Sequence, residues 1–261
     1  MSTSKPYTGT QAVLRAISLL KLFTDSQPEW GLTDLSEAAN LNKTTTYRLL
    51  TALESEELIK RDTNSDVYRL GPFAITLGSR ALRANDLRTL CQPELKKLAA
   101  LAKETASLEL LVDKEIFILD EATADRVISG GQEIGSRWPA HATSTGKAML
   151  AALPDERLEE LLPGLLTAVT PHTLTNPTIF RQELAKIRTR GYAIADEELE
   201  IGLVAVAAPI LNYDKEAVAA ISLAAPKVRL DAERIAELGQ QVQAAARRIS
   251  VQLGYPVIGN P

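Results

Sequence analysis

From residue 43 to residue 53 the side chains sort onto two faces at helical spacing. Thr46, Leu49, Leu50 and Leu53 fall at i, i+3, i+4 and i+7, the period of a buried stripe. Thr44, Tyr47, Arg48 and Thr51 repeat that spacing on the opposite side, and each carries a hydrogen-bonding group. One face suits packing and the other suits a polar partner. Asn42 stands in N-cap position, where its side-chain oxygen can accept an amide of the first turn, and Lys43 and Thr45 complete the helix start.

Ahead of this helix, Thr33 precedes Asp34-Leu35-Ser36-Glu37-Ala38-Ala39, a short helix pattern with an N-cap signal at Thr33 but without the strict capping-box spacing. Behind it, Leu58-Ile59-Lys60-Arg61 and Val67-Tyr68-Arg69-Leu70 are strand-like runs around a turn-rich cluster at 62–66. Helix, turn, helix, hairpin is the order of a winged helix-turn-helix, which lays its second helix in the DNA major groove and its hairpin beside the backbone. Lys60, Arg61 and Arg69 fall on that hairpin, within reach of phosphates. A winged helix used only for protein contacts has the same order. Two basic and no acidic residues between positions 41 and 53 favour phosphate as the partner.

The flanking pattern predicts an amphipathic helix over 12–23 with Val13, Ala16, Ile17 and Leu20 on one side. A second begins at Pro72 and runs to 85, with Phe73, Leu77 and Ala81 spaced to pair with a second copy. A helical stretch over 86–105 is expected to be interrupted by Pro93. Beyond it the period changes. Strands are predicted at 107–112, 116–123, 126–129, 192–196, 203–208 and 217–225, with helices at 144–153, 155–162, 178–190 and 231–253. Strands and helices without regular alternation predict an α+β unit built on a central antiparallel sheet.

Composition adjusts this picture in two places. The 261 residues carry a net charge of −4, unusual for a nucleic-acid binder, yet residues 1–84 hold 10 basic and 9 acidic side chains while the remainder holds 19 and 24. The acidic excess therefore lies in the C-terminal part of the sequence, and the local charge of the reading helix is what phosphates feel at a screening length of roughly 8–10 Å. The single cysteine, Cys91, can form neither an internal disulfide nor a cysteine-based metal site, which points to a reducing cytoplasm. The polar start lacks the apolar stretch of a signal peptide, and the longest apolar runs are about half of the ~20 residues that span a bilayer, so no membrane partner is expected.

Enzyme motifs fail on inspection. Ser144-Thr145-Gly146-Lys147 fits the Ser-x-x-Lys pattern of penicillin-recognising enzymes, but the companion Ser-Asp-Asn and Lys-Thr-Gly elements are missing. As a phosphate loop it fails because His141 occupies the first glycine position and Ala148 the hydroxyl position. His141 and His172 are the only histidines and have no partner at metal-ligand spacing. Asp196-Glu197-Glu198 reads as a solvated turn rather than a catalytic pair, and Lys147 as a structural cation. No catalytic residue, metal or cofactor is expected. The opposing reading is a hydrolase-like or small-molecule-binding enzyme with an accessory winged-helix domain.

Several segments together carry a family likeness. They are Leu14-Arg15-Ala16-Ile17 with Leu19-Leu20, Lys43-Thr44-Thr45-Thr46-Tyr47-Arg48-Leu49-Leu50, Tyr68-Arg69-Leu70-Gly71, Pro139-Ala140-His141-Ala142, Thr145-Gly146-Lys147-Ala148, Arg190-Gly191-Tyr192, Asp196-Glu197-Glu198, Gly202, Ala207-Ala208-Pro209 and Ala219-Ala220-Ile221-Ser222. In order and spacing the chain resembles the isocitrate lyase regulator (IclR) family of bacterial transcription factors from about residue 10 to 254.

The resemblance implies a winged helix-turn-helix domain at 1–71, a linker helix at 72–90 and a GAF-like effector-binding domain at 91–261. It implies a homodimer or dimer of dimers on a palindromic operator in double-stranded DNA, repressing a catabolic operon. The DNA-binding candidates are Thr33, Asn42, Lys43, Thr44, Thr45, Tyr47, Arg48, Thr51, Arg61 and Arg69. It also implies a pocket for a small organic acid against the effector sheet. At the matching positions, Ser144, Thr145 and Gly146 would offer helix-start amides to a carboxylate. Val127, Ser129, Ala195, Asp196, Leu203, Ala205, Ser222 and Ala224 would complete the lining. Ala195 stands where some relatives place an acidic group, and Ala205 and Ala224 where some place Cys and Ser. The expected pocket is thus more apolar and suited to an aromatic acid.

Overall fold

The computed structural model describes residues 10–24, 26–62, 64–124, 134–162 and 164–256. The chain divides into two units between Asn85 and Asp86.

In the first unit, α1 (Gln11–Leu20) leads to a two-residue strand β1 (Trp30–Gly31), then α2 (Leu32–Ala38), α3 (Lys43–Ser55), β2 (Ile59–Asp62), β3 (Val67–Leu70) and α4 (Pro72–Arg83). The strands form an antiparallel sheet in the order β1-β3-β2. Leu19, Leu35, Leu50, Leu53, Ile59 and Tyr68 converge as the core, each apolar side chain of this size contributing about 1.5–3 kcal/mol on full burial. Pairing of Trp30 and Gly31 with Tyr68 and Val67 starts α2 directly from the strand. The N-cap position therefore falls on Gly31, not Thr33, whose carbonyl accepts from Ser36 Oγ at 2.6 Å inside the first turn. The first helix ends at Leu20 rather than 23, and its apolar side chains divide. Leu19 is buried and Ala16 and Leu20 pack on the core, while Val13, Leu14 and Ile17 stay exposed.

The second unit contains α5 (Asp86–Ala102), β4 (Thr105–Val112), β5 (Glu115–Ala122), β6 (Arg137–Pro139), α6 (Ser144–Ala152), α7 (Asp155–Leu161), α8 (Pro177–Arg190), β7 (Ala193–Asp196), β8 (Leu203–Leu211), β9 (Ala217–Pro226) and α9 (Ala232–Gln252). Its six strands form one antiparallel sheet in the order β6-β5-β4-β9-β8-β7. Helices α5 and α9 pack on the sheet and on each other, and α6, packed against α8, also covers it. Helix α5 passes through Pro93 unbroken. Its line of Cys91, Leu95, Leu98, Ala99 and Ala102 is buried, and that packing outweighs the roughly 3 kcal/mol local cost of an interior proline.

The segment 72–90 expected as one linker helix holds two helices, α4 and the start of α5, with Ala84 and Asn85 between them. The strand expected at 126–129 lies outside the described residues. Among those described, no helix is long and apolar enough to cross a membrane.

Candidate functional site

Two groups of side chains stand out, one in each unit. In the first, Asn42 Oδ1 accepts from the Thr45 amide at 2.8 Å, and this cap sets where α3 begins. Thr46, Leu50 and Leu53 then turn inward and Leu49 is half-buried, while Lys43, Thr44, Tyr47, Arg48 and Thr51 are exposed on the other side. The buried line anchors the helix so that the polar line points outward as one ridge. Thr45 is half-buried and Thr51 donates to the Tyr47 carbonyl at 2.9 Å.

The β2–β3 hairpin stands beside α3 with its arginines already engaged. Arg61 pairs with Asp66 and lies over the Tyr68 ring at 5.6 Å, and Arg69 meets Glu29 at 2.8 Å. Both pairs face solvent, where screening leaves them easily exchanged for another anion. Thr33 is exposed in the first turn of α2.

In the second unit the register of the sheet builds a cleft. Ala195 lies opposite Ala205 and Ala205 opposite Ala224, so three neighbouring strands present a row of alanines. Small side chains on β7, β8 and β9 leave a narrow cleft, bordered also by the start of α6 and by Leu199 and Leu203. Thr143 caps α6, its Oγ1 accepting from the Gly146 amide at 3.0 Å. The amides of Ser144 and Thr145, first in the helix, have no acceptor within it and carry the positive end of the helix dipole.

Glu109 on β4 is the decisive group in this cleft. It is 3% exposed, and its carboxyl accepts from Thr145 Oγ1 on one oxygen and from Ser222 Oγ at 3.2 Å on the other. Burial pushes this carboxyl up to about 7, opposed by the two hydroxyl bonds and reinforced by Glu121. No lysine, arginine or histidine is among the lining residues described.

The turn after β7 is held from below. Lys147 of α6 pairs with Glu198 in the interior, and Thr173 Oγ1 donates to the Glu198 carbonyl at 2.7 Å. Thr170 Oγ1 donates to the Glu197 carbonyl at 2.7 Å. Glu197 and Asp196 instead meet Lys227, the latter at 2.9 Å. The three carboxylates are therefore not a uniformly solvated turn: Glu198 is buried because Lys147 is buried with it.

Of the effector positions expected from sequence, Ser144, Thr145, Ala195, Leu203, Ala205, Ser222 and Ala224 meet in this cleft. Gly146 does not line it. Its amide is taken by Thr143, and a Cβ there would sit 2.0 Å from the Ala140 carbonyl oxygen, so glycine serves close packing. Asp196 is exposed and paired with Lys227, away from the lining. Val127 and Ser129 lie outside the described residues. Sequence reasoning missed Glu109, Thr143 and Leu199. The available signal was the step Ser107, Glu109, Leu111, which puts Glu109 on one side of a strand that helices cover. The expectation of a more apolar pocket meets a lining with three hydroxyls at Thr143, Ser144 and Thr145, a fourth at Ser222 and one carboxyl.

Among the described residues, no group of three or more His, Cys, Asp or Glu side chains is placed to hold a metal ion. His141 Nε2 lies 2.7 Å from the Thr167 carbonyl oxygen in a structural contact.

Comparison with known proteins places these features. The IclR helix-turn-helix domain matches residues 12–63, and the bacterial transcriptional regulator IclR C-terminal domain matches residues 79–251. The acetate operon repressor of Salmonella typhimurium is 33% identical over 257 residues, which cover 97% of this chain and 94% of that protein. The crystal structure of an IclR transcriptional regulator from Alicyclobacillus acidocaldarius superposes with a TM-score of 0.84 at 28% identity, over 92% of this chain and 97% of the other. An IclR homolog from Microbacterium hydrocarbonoxydans, solved as a complex with 4-hydroxybenzoate, gives 0.79 at 25% identity, over 94% and 99%. These families and relatives are transcriptional regulators and not enzymes.

Proposed function

The chain belongs to the IclR family of bacterial transcriptional regulators, and from that premise we propose that it is a cytoplasmic, homodimeric repressor whose operator binding responds to a small organic acid. The observation that carries the reading is the division of α3 into a buried line, Thr46, Leu50 and Leu53, and an exposed one, Thr44, Tyr47, Arg48 and Thr51. A helix so anchored presents hydroxyls and a guanidinium together, the donors and acceptors that read base edges in a major groove. Lys43 and Lys60 supply phosphate contacts, and Arg61 and Arg69 join them by exchanging exposed carboxylates for the backbone.

A palindromic operator needs two such helices at fixed spacing, half-sites about 34 Å apart or a multiple of it. The uncovered side chains Val13, Leu14 and Ile17 on α1 and Ile75 and Leu77 on α4 provide apolar surface for the second copy. Effector binding in the cleft of the second unit then shifts operator affinity by linkage, which is reciprocal: DNA changes the affinity for effector by the same factor. The Ser144 and Thr145 amides give a carboxylate its seat. The 4-hydroxybenzoate complex of the Microbacterium homolog supports an aromatic acid as the class.

Fluorescence anisotropy on duplexes tiled across the promoter region of its own gene tests this. One duplex is expected to bind at least about a thousandfold more tightly than random DNA of equal length at physiological salt, and an organic acid is expected to change that affinity. Equal, wholly salt-erased binding to every duplex would refute the assignment.

A further inference from the structure

The cleft holds a carboxyl where an acid ligand alone would call for a cation. Glu109 is the one ionisable side chain among its described lining residues. The hydroxyls of Thr145 and Ser222, which would otherwise serve a ligand carboxylate, are turned toward Glu109. Each carboxylate oxygen offers two lone pairs and receives one of these hydroxyls, so acceptor capacity remains on both. The alanine row at Ala195, Ala205 and Ala224 offers no competing side-chain donor. What remains for an anion is the pair of helix-start amides at Ser144 and Thr145, a short distance along the same wall.

An acid without a second polar group would leave the spare lone pairs of Glu109 unmatched in a buried site. Sites built to hydrogen-bond a ligand hydroxyl reject the analogue lacking it far more strongly than apolar pockets reject a missing methylene, because their own polar groups are then stranded. We propose that Glu109 is a specificity-determining residue and that the cleft takes a hydroxy-substituted organic acid. The carboxylate rests on the Ser144 and Thr145 amides, and the hydroxyl donates to a Glu109 oxygen. The inference rests on the reading of the second unit as an organic-acid sensor and sharpens it.

The test is calorimetric titration of the full chain at pH 8, where Glu109 is ionised. The probes are benzoate, 3- and 4-hydroxybenzoate with their methyl ethers, and the aliphatic set of propionate, lactate and 3-hydroxypropionate. Wild type, Glu109→Gln and Glu109→Ala are compared, each checked for cooperative thermal unfolding. In wild type at least one hydroxy acid is expected to bind about tenfold or more tightly than both its unsubstituted and its etherified counterpart, and in Glu109→Ala that ratio is expected to fall below about threefold. Glu109→Gln, which adds a donor amide, is expected to gain affinity for the unsubstituted acids.

If wild type binds benzoate and propionate as well as their hydroxylated forms, or if the preference survives in Glu109→Ala, the role of Glu109 is overturned and the organic-acid reading stands. If no acid binds any of the three proteins, the organic-acid reading itself fails and the Glu109 assignment falls with it.

Discussion

Lys147 and Glu198, 51 positions apart in the chain, form an ion pair sealed inside the second unit, their side chains 1% and 9% exposed. The pair ties α6 to the turn that contributes Leu199 to the cleft wall. One Glu198 oxygen, Oε2, is buried without a hydrogen-bond partner among the described residues, and burial raises this carboxyl while Lys147 works against the rise. Removing one partner of such a pair strands the other, at a cost of about 3–5 kcal/mol. Lys147→Met is therefore expected to lower stability by that amount in urea denaturation, and Lys147→Met with Glu198→Leu to recover most of it. A double variant no better than the single one would show that the lysine acts independently of Glu198.

Glu109 makes stability depend on pH in a defined direction. Its carboxyl titrates at about 7 in the folded protein, against 4.5 for the free group. The folded state therefore holds the proton more tightly. The contribution is fully present below about 4.5 and is lost as pH rises through about 7. Glu121 is the charged group acting on it, and Thr145 and Ser222 are its hydrogen-bond partners. Relative to wild type, Glu109→Gln is expected to gain stability between pH 5 and pH 8, by at most roughly 3 kcal/mol. Denaturation curves of both proteins at four pH values in that window measure the difference, in which other titrating groups cancel. A difference that does not change with pH would place Glu109 in the ordinary carboxylate range.

On the DNA side, Arg48 is exposed on the polar line of α3. Arg48→Ala is expected to weaken operator binding by about 1–3 kcal/mol if the guanidinium meets a base edge, and to relax discrimination at that base pair. Lys43→Ala, which would remove the proposed phosphate contact, is expected to lower affinity evenly across sequences and to reduce the salt dependence by about one counterion. Gel-shift titrations of both variants against the operator and its single-base variants separate the two roles.

The apolar surface of α1 and α4 predicts what holds two copies together. Ile17 and Leu77 are each 44% exposed, and a charge at either position would have to be buried in an interface built from them. Ile17→Glu and Leu77→Glu are expected to shift the protein toward monomer in sedimentation velocity. Operator affinity is then expected to fall on the order of a hundredfold or more, because the second half-site no longer binds as a tethered event. A dimer that survives both substitutions would place its interface elsewhere.

The reading helix was legible in the sequence because its information is local. Spacing along a single helix sorts Thr46, Leu50 and Leu53 from Thr44, Tyr47, Arg48 and Thr51, and Asn42 caps by a contact only three residues long. Thr33 was misplaced by local reasoning because the pairing of Trp30 with Tyr68, 38 positions away, moves the start of α2 back to Leu32. Pro93 marks a break in the sequence pattern because its cost is local, while its compensation, a buried line of side chains, is not.

The sequence by itself determined most of the elements though not β1 or β6, the faces of α3, the family and several small residues of the cleft in the second unit, since each depends on spacing within one segment or on matching motifs. Only the tertiary structure decided what that cleft is chemically. Glu109 sits in an ordinary alternating strand, Thr145 lies 36 residues later and Ser222 a further 77. Their meeting follows from the register of β4 with β9 and the seating of α6 on the sheet. Burial by both is what turns an unremarked glutamate into a carboxyl pushed up to about 7 and held by two hydroxyls.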